Sequence, residues 1–304
     1  MKKALWVGAC LALVAAAWPS PNYVYRGWWA SYGYIGGLSV ATNGNVYQTS
    51  FNNHIVIYFN STGSRIGSWG SYGNGQGQFS QPAGVDVSPN NWVYVADFSN
   101  HRVQYFTRTG SFLDMWGSYG SGPGSFNMPG DVQVGANNWV YVVERGNHRV
   151  QRFTSTGSYL GSFNGTFYMP DGVGIAANYN VYVTDRGNSR IQYFTSTGSP
   201  LGSWGSNGAG PGQFIRPIGN EVSNGGFVFV ADSGNNRVQY FRLNGSYLDT
   251  LSGATIVTPI DVAISNNDRW LYVGSDGNSR IIYFTHTNTA VAPASLGKVK
   301  ALFR

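Results

Sequence analysis

The heptapeptide NHRVQYF, at residues 100–106, recurs through the chain with small changes and decides how the chain folds. NHRVQRF, NSRIQYF, NNRVQYF and NSRIIYF begin at residues 147, 188, 235 and 278, and a looser NHIVIYF begins at residue 53. The six copies therefore start 41 to 47 residues apart. A repeat of this length indicates one structural unit per copy, stacked in an array or closed into a ring.

Each period contains four strand-like segments. In the second period they are AGVDV, WVYVAD, RVQYF and SFLDMWG, between residues 83 and 117. They are rich in β-branched and aromatic residues, and Gly, Asn, Ser and Pro occupy the joints between them. Four strands per period are typical of a propeller blade, so six periods predict an all-β, six-bladed β-propeller.

The two ends of the chain predict how the ring closes. The last period supplies only three strands, while the N-terminal segment NYVYRGWWASYG, at residues 22–33, resembles the final strand of the other periods. We expect this segment to complete blade six, which removes the exposed strand edge that an open ring would leave.

A glycine-rich stretch, WGSYGNGQGQFSQP at residues 69–82, could be a phosphate-binding loop or a turn. Variants of it return at residues 116–129 and 204–217, and each leads into a strand. Nucleotide-binding glycine loops occur once and lead into a helix. The repetition therefore predicts turns between blades, with Phe79, Phe126 and Phe214 seated in the seams.

The first residues have the layout of a secretory signal peptide. Lys2 and Lys3 precede an apolar run that ends in three alanines at residues 15–17. The run is shorter than the roughly 20 residues of a membrane-spanning helix, although an uncleaved anchor is the alternative. We predict a signal peptide at 1–17, a propeller at 22–285 and a tail at 286–304, in a protein exported to the periplasm, the cell surface or the medium.

The positive charge of the chain is concentrated at its ends. The net charge is +6, but all four lysines lie in the first three or the last seven residues. A nucleic-acid surface needs a dense basic patch, so we expect no nucleic-acid partner. In the tail, Leu296, Val299, Leu302 and Phe303 have helical spacing beside Lys298 and Lys300. This pattern favours envelope association through the tail, with a frayed terminus as the alternative.

The repeat resembles the NHL-repeat family, whose pattern reads GQF-x-x-P, GV-x-V, VYVAD and NHRVQ-F. The resemblance covers residues 22–285 and implies the six-bladed fold, which hosts lyases, hydrolase-like enzymes, RNA-binding modules and extracellular sensors. In a related amidating lyase, histidines directly after the inner-strand proline hold a catalytic zinc. The residues at those positions are Gly36, Ala83, Gly130, Asp171, Ile218 and Ile260, so that zinc site is not expected here.

An acidic residue precedes the repeated arginine by five positions in four periods. We expect these residues to form bidentate ion pairs that fix the turn between two strands. The pairs are Asp97 with Arg102, Glu144 with Arg149, Asp185 with Arg190, and Asp232 with Arg237. His54, His101 and His148 occupy one equivalent position in three periods, too far from the axis to share a metal, and are predicted to be packing residues.

Two further sets of residues are candidate binding sites. Asp131 and Asp261 occupy equivalent places on inner strands and could hold a calcium ion in the central channel, since calcium prefers oxygen ligands. Solvated channel carboxylates are the alternative. A second set of aromatic residues begins the second strands and could bind a sugar or peptide on the face opposite the glycine-rich loops, or could cap its own hairpins: Trp92, Trp139, Phe227 and Trp270.

These observations favour a monomeric binding or scaffolding module for a protein or carbohydrate ligand. The alternative is an enzyme at the channel mouth, of lyase or lactone and ester hydrolase type, that uses a divalent cation near Asp131 and Asp261. No departure from the repeats has the pattern of a nucleophile with its base, so we expect a binding protein more than an enzyme.

Overall fold

A computed structural model describes residues 22–287 of the chain. The predicted signal peptide at 1–17 and nearly all of the tail at 286–304 lie outside the described residues. Within residues 22–287, no helix has both the length and the apolar character needed to span a membrane.

The described chain consists of 24 strands. They are β1 (Tyr23–Ala30), β2 (Ile35–Val40), β3 (Val46–Ser50), β4 (Ile55–Phe59), β5 (Arg65–Trp69), β6 (Pro82–Val87), β7 (Trp92–Asp97), β8 (Arg102–Thr107), β9 (Phe112–Trp116), β10 (Pro129–Val134), β11 (Val140–Glu144), β12 (Arg149–Phe153), β13 (Tyr159–Ser162), β14 (Val173–Ile175), β15 (Val181–Asp185), β16 (Arg190–Phe194), β17 (Pro200–Trp204), β18 (Pro217–Val222), β19 (Phe227–Asp232), β20 (Arg237–Arg242), β21 (Tyr247–Leu251), β22 (Pro259–Ile264), β23 (Trp270–Ser275) and β24 (Arg280–His286). The helical content of this region is four single 3-10 turns, Phe98–Asn100, Arg186–Asn188, Ser233–Asn235 and Asp276–Asn278.

The strands form six four-stranded antiparallel sheets, which confirms the six-bladed all-β propeller. Blades 1 to 5 are β2–β5, β6–β9, β10–β13, β14–β17 and β18–β21. Blade 6 combines β22, β23 and β24 with β1, in the order β1-β24-β23-β22. Tyr23 pairs with His286 and Ala30 with Arg280. The ring is therefore closed by the N-terminal strand, as the sequence predicts.

The core lies between neighbouring blades, because each sheet buries both of its faces. Buried tyrosines of the second strands cross the seams and donate their hydroxyl protons to carbonyl oxygens of the next blade, as in Tyr47 to Arg108 and Tyr94 to Ser155, both at 2.9 Å. Trp69 of blade 1 packs on Gly110 of blade 2, which has a φ of +94°; a Cβ at Gly110 would collide with the indole. Glycine is needed there for both space and backbone conformation.

The glycine-rich stretches are turns between blades, as predicted. Phe79, Phe126 and Phe214 are fully buried, and each packs on the last aromatic residue of a third strand. For Phe79 that residue is Phe106, with ring centroids 5.5 Å apart. These turns lie on one face of the ring, called the loop face below. The turns between first and second strands lie on the other face, called the hairpin face.

Candidate functional site

The innermost strands of the six blades line a central channel. Two residues after the position of the inner-strand proline, four blades have glycine, and blades 3 and 6, which face each other across the ring, have Asp131 and Asp261. A Cβ on Gly84 or Gly219 would collide with the neighbouring carboxylate. Glycines in the adjacent blades therefore provide the room in which these two carboxylates lie.

Both channel aspartates are held by backbone N–H groups. Asp131 accepts from Val132 at 2.8 Å and from Val173 of blade 4 at 2.9 Å. Asp261 accepts from Val262 at 2.9 Å and from Leu38 of blade 1 at 2.8 Å. Burial raises the pKa of Asp261 to about 7. Burial, followed by the negative charge of Asp261, raises the pKa of Asp131 well above its usual range.

A second pair of carboxylates lies two residues further along the inner strands, on the opposed blades 2 and 5. Asp86 accepts from the Ser39 hydroxyl and from the Val134 N–H, both at 2.8 Å. Burial nevertheless raises the pKa of Asp86 to about 6. Glu221 accepts from the N–H of Val222 at 3.0 Å, and burial together with the charge of Asp86 raises its pKa. The channel is thus lined by four acidic groups that resist ionisation.

These acids do not converge on one point. Among residues 22–287, no group of three or more His, Cys, Asp or Glu side chains is close enough to hold a metal ion. The calcium site predicted at Asp131 and Asp261 would therefore need backbone carbonyls or water as further ligands. Carboxylate and carbonyl oxygens are the ligands that calcium prefers, so calcium at these residues stays a prediction.

The channel opens on the loop face through a cavity of about 330 Å³, called the basic mouth below. Ile35, Ile218 and Ile260 form an apolar floor, and Tyr34 and Phe51 contribute aromatic rings. Three arginines complete the lining: Arg145, Arg186 and Arg216. The cavity thus combines an apolar surface with several guanidinium donors.

The three arginines are not equivalent. Asp171 accepts from Arg145 Nε at 2.7 Å and from Arg186 at 3.1 Å, so one buried carboxylate holds both side chains. Arg145 also lies over the ring of Phe98, 5.3 Å from its centroid. The exposed Arg216 side chain makes no hydrogen bond or ion pair with any described residue. Its guanidinium is therefore available to a ligand.

The other end of the channel has the opposite charge. On the hairpin face it opens through a cavity of about 270 Å³ lined by Asp86, Glu221 and Asp268, together with serine and asparagine residues. No lysine or arginine lines this cavity among the described residues. The channel is therefore polarised, with guanidinium groups at one end and carboxylates at the other.

The four carboxylate–arginine pairs form, and the geometry of three of them differs from the bidentate pairing expected. In blade 2 the carboxylate of Asp97 accepts from Arg102 Nε at 2.8 Å. The terminal nitrogens of Arg102 donate instead to loop carbonyls of Asn74, Gly75 and Gln78. The carbonyls of the glycine-rich loop accept from the terminal nitrogens, so these nitrogens are not available for a bidentate pair with the carboxylate. The same single Nε contact joins Asp185 with Arg190 and Asp232 with Arg237. Arg149 instead donates to both oxygens of Glu144, from Nε at 2.5 Å and from a terminal nitrogen at 3.4 Å.

The repeated histidines join blades through hydrogen bonds. The Nδ1 atoms of His54, His101 and His148 accept from backbone N–H groups at the start of the next blade, at 3.0, 3.1 and 2.9 Å. Their rings pack at a tilt against those of Tyr72, Tyr119 and Tyr168. Each histidine thus fills a packing position in its own seam, as the sequence predicts.

The aromatic residues at the start of the second strands do not come together. Trp92 packs on Tyr105, with centroids 5.3 Å apart, and Trp270 on Tyr283 at 5.9 Å. The Trp139 ring lies under the Arg152 guanidinium at 4.4 Å, and Phe227 is buried. These contacts cover much of each ring, which favours the hairpin-capping interpretation over a shared patch.

Sequence reasoning missed the arginines of the basic mouth. Arg145 and Arg186 directly follow the paired acids Glu144 and Asp185, at a position where blades 2 and 5 have Phe98 and Ser233. Aligning the repeats at this position reveals an extra charge in two blades. Only the folded ring shows that Arg145 and Arg186 line one cavity, and that Arg216 from a third blade lines it with them.

Comparison with known proteins agrees with this architecture. The NHL repeat family model matches residues 79–106 and 126–153. A streptogramin B lyase structure is 13% identical, over 87% of this chain and 98% of that chain, with a TM-score of 0.64. A gluconolactonase from Xanthomonas campestris is 15% identical, over 88% and 89%, with a TM-score of 0.69. At these identities the likeness shows the fold alone, and no curated protein sequence matches the chain significantly.

Proposed function

We propose that this chain, a six-bladed NHL-repeat β-propeller, is a binding module whose ligand enters the basic mouth with an anionic group directed at Arg216. The observation that carries the proposal is the meeting of three arginines from blades 3, 4 and 5 at a cavity with an apolar floor. Ligand sites of proteins are mostly apolar concavities with a few convergent polar groups.

The ion pairs around the mouth support a role in recognition. Asp171 neutralises part of the charge of Arg145 and Arg186 and fixes both side chains. Arg216 is left without a partner among the described residues, at the edge of the cavity. A guanidinium binds carboxylate, sulfate or phosphate oxygens through paired hydrogen bonds. We therefore expect acidic peptides or acidic glycans to be preferred over neutral ones.

The proposal is tested by titrating the purified protein with matched acidic and neutral glycans and peptides. We expect acidic members to bind, more weakly at high salt because the site is open to solvent. Arg216→Gln should weaken binding about tenfold or more, since hydrogen bonds to charged groups contribute roughly 1.5–3 kcal/mol. Tyr34→Ala, which changes only the mouth, should weaken it less. Equal binding of acidic and neutral ligands would contradict the proposal.

A second candidate function is an enzyme of the channel, of lyase or lactone hydrolase type. It is favoured by the opposed carboxylates Asp131 and Asp261, whose pKa values are both raised by burial, that of Asp261 to about 7. Groups that titrate near the working pH are suited to acid–base chemistry. Elemental analysis for a bound divalent cation, with lactone-opening assays of the wild type and Asp131→Asn, distinguishes the two functions. Metal-dependent turnover that the substitution abolishes would favour the enzyme.

The aromatic residues of the hairpin face provide a control for the binding face. The double variant Trp92→Ala, Trp139→Ala removes two of the four rings without touching the basic mouth. We expect it to leave the binding of acidic ligands unchanged, although the loss of buried contacts lowers stability. A selective loss of glycan or peptide binding would instead favour an aromatic site on that face.

We extend the proposal to the location of the protein. The N-terminal pattern predicts export, and the basic tail predicts association with an acidic envelope surface. Removing residues 292–304 should leave the melting temperature nearly unchanged and shift the protein from the envelope to the medium. Identical fractionation of full-length and truncated forms would show that the tail carries no localisation signal.

A further inference from the structure

A backbone N–H directly before the inner strand is bonded in the same way at four of the six seams between blades. A side chain accepts from it in each of those seams. The acceptors belong to the preceding blade, and the pairs are Gln81 with His54 at 3.0 Å, Met128 with His101 at 3.1 Å, Met169 with His148 at 2.9 Å, and Thr258 with Asn236 at 2.7 Å. At the seam between blades 6 and 1, Ser279 stands at the acceptor position, and the Tyr34 N–H donates instead to Asn52 of its own blade at 2.8 Å.

The seam between blades 4 and 5 departs from this pattern. The equivalent N–H belongs to Arg216, and no described residue accepts from it. Ser189 stands where the earlier seams have histidine, and its shorter side chain makes no bond to this group. The backbone itself is unchanged, since φ is +50° at Arg216 and +53° at Met128. The donor is therefore presented in the usual way but lacks its usual acceptor.

The same seam also lacks the tyrosine that covers the histidine elsewhere. Tyr72 and Tyr119 pack against His54 and His101 in tilted contacts, with centroids 4.9 Å apart. Asn207 occupies the corresponding place in the third glycine-rich loop. Two truncated side chains thus open a cavity of about 270 Å³, which we call the seam groove. Its lining includes Met169, Arg186, Ser189, Asn207, Ile215 and Arg216.

Every polar feature of the seam groove suits an oxyanion. The Arg216 N–H faces the place of the missing acceptor, and the Arg216 guanidinium is unpaired among the described residues. Arg186 makes its one ion pair through a single terminal nitrogen, so other guanidinium donors remain. No acidic residue lines the groove. Backbone N–H groups next to guanidinium donors form sites for carboxylate and phosphate oxygens.

We propose that the seam groove is a carboxylate-binding site, in which a ligand oxygen takes the acceptor position that imidazole or amide groups fill at four of the other seams. The groove shares Arg186 and Arg216 with the basic mouth, so a ligand can occupy both cavities. The inference rests on the proposed function for the anionic character of the ligand, and it adds Ser189, Asn207 and the Arg216 N–H to the residues of the mouth. A carboxylate is planar and suits the guanidinium fork.

The test restores the repeat. In Ser189→His, Asn207→Tyr the seam receives the same imidazole and tyrosine that close the seams of blades 1 to 3. Calorimetric titration with glucuronate and with N-acetylglutamate, and with glucose as the neutral control, measures carboxylate binding from a sugar or an amino acid source. We expect wild-type protein to bind one or both carboxylates, and the restored variant to bind them at least about tenfold more weakly with an equal or higher melting temperature.

A matched control opens a groove where the arginine is missing. His148→Ser, Tyr168→Asn truncates the preceding seam, beside Arg145 but with Met169 in the place of Arg216. We expect this variant to retain wild-type carboxylate binding and to gain no second site. A second site there would show that an open seam alone suffices, and would overturn the role given to Arg216.

Two results would overturn the proposal outright. One is wild-type protein that binds neither carboxylate, and the other is a restored variant that binds as tightly as wild type. If the restored variant does not fold, Arg216→Met, which places the residue of two other seams there, should weaken carboxylate binding about tenfold; unchanged affinity contradicts the proposal. A third result is possible: Tyr34→Ala weakens binding, but Ser189→His, Asn207→Tyr does not. This result would reject the seam groove as the site and retain the basic mouth.

Discussion

Each carboxylate at the blade turns accepts hydrogen bonds from four donor residues. Each carboxylate in the channel accepts from only one or two donors and makes no ion pair within the described residues. Asp232 accepts from the Ile215 N–H at 2.8 Å and from Asn235, Arg237 and Gln239 at 2.8, 2.7 and 3.1 Å. Asp261 accepts from two backbone N–H groups. Both lie among the blades, yet only the first has a cation beside it.

This difference separates structural acids from acids that the fold tolerates at a cost. A buried charge with a full set of donors holds its surroundings together, while a buried charge with few donors favours the protonated form. The turn acids explain the Asn, Arg and Gln of the NHRVQ motif, because all three donate to them. The channel acids follow no repeat, and positions that break a stability rule are candidates for function.

The largest expected effect comes from removing a turn acid. Asp232→Ala removes the acceptor of the Ile215 N–H and one acceptor each from Asn235, Arg237 and Gln239, in a buried place. Breaking such a buried network should lower the free energy of unfolding by about 3–5 kcal/mol. Urea denaturation measures this, with the exposed Asp114→Ala as the control. Equal effects of the two substitutions would remove the distinction between structural and tolerated acids.

The next effect has the opposite sign and depends on pH. Because the pKa of Asp261 is raised to about 7 in the folded protein, its protonated form stabilises the fold at low pH. That contribution is lost as the pH rises from 3.8, the ordinary pKa of the carboxyl group, through 7. Asparagine does not titrate in this range, so the stability of Asp261→Asn should not show this fall. Relative to wild type, the variant should gain about 2–4 kcal/mol between pH 4 and pH 8.

Denaturation curves of wild type and Asp261→Asn at both pH values measure this gain. Asparagine accepts from only one of the two N–H groups at either pH, so the variant loses one hydrogen bond throughout. This constant loss cancels when the stabilities at the two pH values are compared. Asp114→Asn, on the exposed outer strand β9, is the control and should show no such change. Parallel pH profiles for wild type and Asp261→Asn would show that the channel carboxylate is as well compensated as those of the turns.

The smallest effect concerns the shape of the donor at the turns. Arg149 donates to Glu144 and also to the loop carbonyls of Ser121, Gly122 and Ser125. Arg149→Lys keeps the charge but cannot reach all of these acceptors. We expect a loss of about 1–2 kcal/mol and faster amide exchange in residues 118–126. The exposed Arg65→Lys is the control; equal exchange in both variants would mean that charge alone holds the loop.

The fold could be predicted because its information is repeated and local. Six copies of one motif predict six blades, and alternating apolar residues predict the strands. The turn pairs were also accessible, since acid and arginine lie five residues apart across one hairpin. What the repeat could not predict was the one-nitrogen geometry of three of these pairs, because the carbonyls that compete for Arg102 belong to a loop some 25 residues away.

The candidate sites were harder to predict for the opposite reason. The sequence by itself determined which positions depart from the repeat, such as Arg186, Ser189 and Asn207. Only the tertiary structure decided that they share one groove with Arg216 and that Asp131 and Asp261 face each other across the channel. Closing the ring brings together residues from different blades that no local pattern connects, so the distance between two side chains depends on the whole circle.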